Sequence, residues 1–147
     1  MIQIKGLMKI KELENSLGTL SVPSKMPSYS FSIPAQKCIT GSKLRLKKNS
    51  TCSSCYALKG RYVFPNVKEA LFNRLNKMNS LGFDQWTKLM TELISRKEKS
   101  GFFRWHDSGD LQSIDHLKAI VQIARNLPQI KFWLPSREVK IIKDYLK

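Results

Sequence analysis

Three thiols and two polar turns carry most of the chemistry open to this chain. Thirteen residues separate Cys38 from Cys52, which with Cys55 forms a close pair, all within KCITGSKLRLKKNSTCSSCYALKGRY, residues 37–62. An odd count of cysteines, two of them close and one distant, does not suit a disulfide framework. In a reducing compartment such a cluster points to metal binding or redox chemistry. The residues alone leave the ligand set open. All three thiols can converge on one metal, or Cys52 and Cys55 can form half of a zinc site completed by His106 while Cys38 serves as a small buried hydrophobe. A third reading has no metal.

The stretch GFFRWHDSGD holds the first polar turn. His106 and Asp107 suit a general base and its orienting acid; in the plainer reading His106 bonds a neighbouring backbone group and shapes the turn. His116 falls within the following helix and is expected at the surface. Arg137, in FWLPSRE, suits a carboxylate or a phosphate, or an ordinary ion pair. Tyr56, Tyr62, Trp105 and Trp133 can stack on bases or a cofactor, although aromatic residues beside strands more often pack a core. Lys43, Arg45, Lys47 and Lys48 are the densest basic group, placed for nucleic-acid phosphates.

Positioning these groups requires a folded domain, and the composition supports one. The 147 residues are 41% hydrophobic, 10% aromatic and 25% charged, which fits a single globular domain with its own core. No apolar run approaches the roughly 18 residues of a membrane span, and MIQIKGLMKIKELE lacks a signal peptide's apolar segment. A cytoplasmic location is expected. Twenty-six Lys and Arg against 11 acids leave a net charge of +15, which attracts phosphates and makes any nucleic-acid or nucleotide affinity salt-dependent.

Residues 1–37 read as an irregular N-terminal segment, punctuated by Pro23, Pro27 and Pro34, with one short strand at Tyr29, Phe31 and Ile33. Residues 38–62 form the cysteine loop, and 63–147 hold helix and strand-helix units. Pro65 opens a helix whose Val67, Leu71, Leu75 and Met78 share a face, and Gly82 ends it. Asp84 is expected to cap the next, with its stripe of Trp86, Leu89, Met90, Leu93 and Ile94. Phe102 to Trp105 is a strand. Ser113 caps a helix with Leu117, Ile120, Val121 and Ala124 inside, Pro128 ends it, IKFWLP is the next strand, and Ser136 opens a last helix. Strand, helix, strand, helix predicts an α/β fold with parallel strands. Its chemistry belongs at their carboxyl ends, with HDSGD and PSRE on one rim.

The ordered motifs KMPSYSFSIPA, Cys38, CSSCYALKGRY, FRWHDSGD and FWLPSRE resemble the phage gene product 88 family over about residues 26–138, and more remotely other phage proteins related to radical SAM enzymes. The resemblance implies a partial (β/α) barrel in the host cytoplasm. In it Cys38, Cys52 and Cys55 would hold a 4Fe–4S cluster, leaving one iron open. Ser108, Gly109 and Asp110 would stand where the Gly-Gly-Glu turn binds the amino group of S-adenosylmethionine; Tyr56 and Arg137 are, by their own residue types, candidates to contact such a cofactor. The 13 residues between Cys38 and Cys52 depart from the short spacing of that enzyme class. A full (β/α)8 barrel takes about 250 residues, so a reduced relative, a fragment, or a half completed by an oligomer or a protein partner over the sheet edge is expected. The competing class is a non-catalytic basic protein, zinc-stapled or metal-free, that intercepts a nucleic-acid machine or an acidic protein partner.

Overall fold

The computed structural model describes residues 8–23, 26 and 28–147. Pro27 and the first seven residues of the expected irregular segment lie outside the described residues. The remainder of 1–37 departs from expectation by containing a helix, α1 (Ile10–Leu17), whose Leu13 and Leu17 are fully buried. Two apolar side chains one turn apart are too few for periodicity to declare, yet they suffice once α3 (Pro65–Leu81) and α4 (Phe83–Lys97) offer a surface.

Three parallel strands form the sheet in the order β1 (Ser30–Phe31), β2 (Phe102–Trp105), β3 (Lys131–Trp133). Ser30 stands opposite Arg104, and Arg104 opposite Trp133. Strand alternation therefore sorts the sheet into two faces. Phe31, Phe103, Trp105 and Phe132 lie on one, in ring contact with one another and with Trp86 of α4. Ser30, Arg104 and Trp133 lie on the other.

Pro65 occupies the first turn of α3, where its missing N–H costs nothing, and Gly82, at φ 79°, turns the chain into α4. Asp84 sits in the first turn of α4 and bonds no free N–H there, so its contribution is charge against the helix dipole. Ser113 caps α5 (Ile114–Asn126) by accepting from the His116 N–H at 3.1 Å. Ser136 does not cap α6 (Val139–Leu146): its hydroxyl accepts from Glu138 N–H at 3.0 Å and donates to Asp110. The cysteine segment is more ordered than a loop, comprising α2 (Ile39–Leu44) and three short 3-10 turns.

Two buried charges tie the layers together. Glu98 accepts from Tyr29 N–H at 2.7 Å and from Ser100, joining the end of α4 to the start of β1. Arg74 of α3 donates to the carbonyls of Thr19 and Ser32, holding the α1–β1 connection. Among the described residues no helix is long and apolar enough to cross a membrane.

Candidate functional site

The segments that leave the carboxyl ends of β1, β2 and β3 meet around one cavity of about 450 Å³. It is lined by Cys38, Cys52 and Cys55, by the turn from His106 to Asp110, and by Ser136, Arg137, Arg104 and Tyr56. Chain segments far apart in sequence converge here because each follows a strand of the same parallel sheet.

The thiols are placed by local structure. Cys38 is the residue before α2, and Gly41, in that helix, lies against two sulfurs: a Cβ there would stand 3.7 Å from the Sγ of both Cys38 and Cys52, and 3.0 Å from the Cys38 Cβ. Ser50 closes the loop between them, accepting from Ser53 N–H at 3.1 Å and donating to the Leu44 carbonyl. Burial pushes the Cys38 thiol up to about 12, and nearby Asp110, Cys55 and Cys52 add to the rise against the opposing charge of Arg45. The Cys52 and Cys55 sulfurs are thus close enough to act on the Cys38 thiol. Among the described residues no three Cys, His, Asp or Glu side chains stand close enough for a single metal ion.

The whole of residues 5–147 matches the family model described as Gene product 88. The chain belongs to the Gene product 88 family. The nuclear cap-binding protein complex subunit 1 of Saccharomyces cerevisiae is 36% identical to this Gene product 88 chain over 78 residues, which are 52% of the chain and 8% of that protein. The chain thus spans a small part of the length of the curated relative it matches. No solved structure matches it.

In this family member the polar turn is built differently from a base and its orienting acid. Asp107 accepts from Ser30 Oγ at 3.0 Å and from Tyr62 hydroxyl at 2.9 Å, and its carbonyl accepts from Tyr56 hydroxyl, so its carboxylate does not orient His106. His106 has φ 59°, and both of its ring nitrogens are buried without a partner. Its ring lies 5.4 Å from that of His116, which is fully buried rather than at the surface and accepts from Gln112 N–H at 3.1 Å. The His116 nitrogen facing away from Gln112 is also unpartnered.

Asp110 is engaged by three donors: Leu111 N–H at 2.7 Å, Arg137 N–H at 2.7 Å and Ser136 hydroxyl at 2.5 Å. Burial raises its pKa and these bonds oppose the rise. Gly109, at φ 84°, lies against Ile33, whose carbonyl oxygen would be 2.7 Å from any Cβ there. Ser108 donates its hydroxyl to that same Ile33 carbonyl at 2.9 Å. Lys43, Lys47 and Lys48 are exposed, whereas Arg45 turns inward to the Ala35 carbonyl and Ser42 hydroxyl.

Sequence reasoning did not single out Glu138 or Arg104. Buried Glu138 accepts from Thr40 N–H at 2.6 Å and Thr40 hydroxyl at 2.7 Å, clamping the start of α2, and so Cys38, to the segment after β3. Arg104 alternates with Phe103 and Trp105 in β2, a period-2 signal that places it on the opposite face.

Proposed function

We propose that this Gene product 88 chain holds an iron–sulfur cluster in the pocket through Cys38, Cys52 and Cys55. The observation that carries the reading is that the Cys38 and Cys52 sulfurs both approach the one point beside Gly41, in a cavity that Cys55 also lines. A single zinc needs donors drawn to about 2.3 Å from one point, and no three described side chains meet that demand. Ligands around a multi-iron body stand further apart, which suits thiols spread along a cavity wall. The cluster would supply electron transfer or an open iron; the chain supplies Cys38 as a protonated thiol that gives up its proton on binding. The three parallel strands, in this reading, are an arc of a partial (β/α) barrel, and its remote radical-SAM likeness is confined to the cluster.

The turn from Ser108 to Asp110 fits an S-adenosylmethionine ammonium poorly. Ile33 fills the space beside Gly109, and three of about four acceptor positions on Asp110 are taken. We assign this turn to holding the Ser136–Arg137 segment in place.

Anaerobic purification with iron and sulfide analysis tests the cluster. A brown protein with broad visible absorption, losing most of its iron when any one of the three cysteines becomes Ala, is expected. A colourless, zinc-loaded protein overturns the cluster, and full metal content in Cys38→Ala overturns the three-thiol ligand set.

A second reading, action on nucleic acid, is favoured by how the acids are spent. Glu98, Asp107, Asp110 and Glu138, four of the 11, are buried and bonded to N–H and O–H groups. The other seven acids stand against 26 Lys and Arg, so the exterior is dominated by Lys and Arg. A filter-binding titration across salt tests it: affinity for nucleic acid that falls steeply as salt rises is expected, and no binding at low salt overturns it.

A further inference from the structure

The sheet leaves one face partly open where parallel sheets are usually covered on both. On that face Trp133 of edge strand β3 is 54% exposed, and Tyr56 is 56% exposed beside the pocket. Between them stands Arg104. Its guanidinium carbon lies 4.7 Å from the centre of the Trp133 ring, and one terminal nitrogen lies 3.4 Å from the Tyr56 hydroxyl. Its Nε is buried without a partner. Among the described residues neither Arg104 nor Arg137 forms an ion pair.

A guanidinium held between aromatic groups with donors to spare matches an anion attached to a flat ring. Bases stack on exposed Trp and Tyr faces, and phosphate oxygens take the arginine N–H groups. An acidic peptide would satisfy the cations and leave the aromatic faces wet. The positive charge also extends past the pocket. Lys131 shares strand β3 with Trp133, and exposed Lys43, Lys47 and Lys48 follow Gly41 on the cavity wall. Phosphates beyond the first would therefore be met, which favours a strand over a free nucleotide.

We propose that this open face binds single-stranded nucleic acid, with Trp133 and Tyr56 stacking bases and Arg104 and Arg137 contacting phosphate beside the thiol pocket. The assignment rests on the nucleic-acid reading above and does not depend on the cluster.

Trp133 gives a direct probe, since Trp86 and Trp105 are fully buried. Titration of the purified full chain with a short single-stranded oligonucleotide should quench Trp133 fluorescence. Trp133→Leu should weaken binding, followed by the anisotropy of a labelled strand, on the order of 5- to 150-fold. Arg104→Gln should flatten the log–log salt dependence by about 0.7. Circular dichroism checks that both variants keep the parent's fold, and Arg104→Lys should restore the salt slope without restoring full affinity. If the parent binds no strand at low salt, the nucleic-acid reading falls and the site with it. If the parent binds and both Trp133→Leu and Arg104→Gln match it in affinity and slope, the reading stands but the site is wrong. A mononucleotide or polyglutamate that competes as well as the strand overturns the strand in favour of that ligand.

Discussion

Asp110 shows how a residue expected to meet a ligand can instead hold the wall of its pocket. Its carboxylate accepts two backbone N–H groups and one hydroxyl, so truncation strands buried donors. Unsatisfied buried donors cost about 1–3 kcal/mol each. Asp110→Ala should therefore destabilise the metal-free protein by about 2–4 kcal/mol in urea unfolding. An unchanged unfolding midpoint would refute the wall role. The two histidines make a second residue-scale prediction. Burial lowers His116 to about 3, and His106 is lowered by burial, then by His116 and Arg104. Unfolded imidazole titrates near 6.5. Both side chains are thus neutral in the fold; their stabilisation is complete above pH 6.5 and is lost as pH falls below it, for His116 down to about 3. Each contributes a slope of up to about 1.4 kcal/mol per pH unit in that window. His116→Asn, which retains an acceptor for Gln112 N–H, should flatten the acid limb of a stability-against-pH curve between pH 6 and 5.

At the scale of elements, placement of the thiols depends on α2, and α2 depends on Glu138. Six residues make a marginal helix, and none of its own side chains caps its start. The Glu138 carboxylate does so from the far side of the pocket through Thr40. Ser113 offers a control, since it caps α5 away from the thiols. Ser113→Ala should cost about 1 kcal/mol and leave metal content intact. On the cluster reading, Glu138→Ala should lower both stability and the iron that the parent retains. Equal metal in the two variants, measured by iron analysis after gel filtration, would show that α2 does not need its anchor. The N-terminal helix is a packing element: Leu13→Ala should cost about 2–5 kcal/mol in chemical unfolding, far more than an exposed site would.

For the whole molecule, charge sets the balance between folding and self-repulsion. The acids that reach the surface are far outnumbered by Lys and Arg, and among the described residues ion pairs are limited to four, two of them with Asp144. Salt should consequently screen more repulsion than attraction. The thermal midpoint of the protein without nucleic acid should rise as sodium chloride is added from low ionic strength toward physiological. A midpoint that stays flat or falls, followed by circular dichroism, would mean that the surface charges are better balanced than the composition indicates.

The sequence by itself determined the elements whose signal is local. The stripe from Trp86 to Ile94, the apolar run at 102–105, Pro65, Gly82 and the Ser113 cap each act within one or two turns of chain, and each marks its element where the structure has it. Tertiary structure decided what depends on distant partners. Leu13 and Leu17 needed α3 and α4 before α1 was worth forming, and His116 lay inside because Phe83 and Trp86 cover it. Asp107 turned to Ser30 and Tyr62, and Arg45 to a carbonyl. Above all, residues 38, 52, 55, 104, 110 and 137 came to one cavity because three parallel strands end together. A period of 2 or 3.6 records which side of an element is apolar. It carries no information about which other element will stand there, and that choice built this pocket.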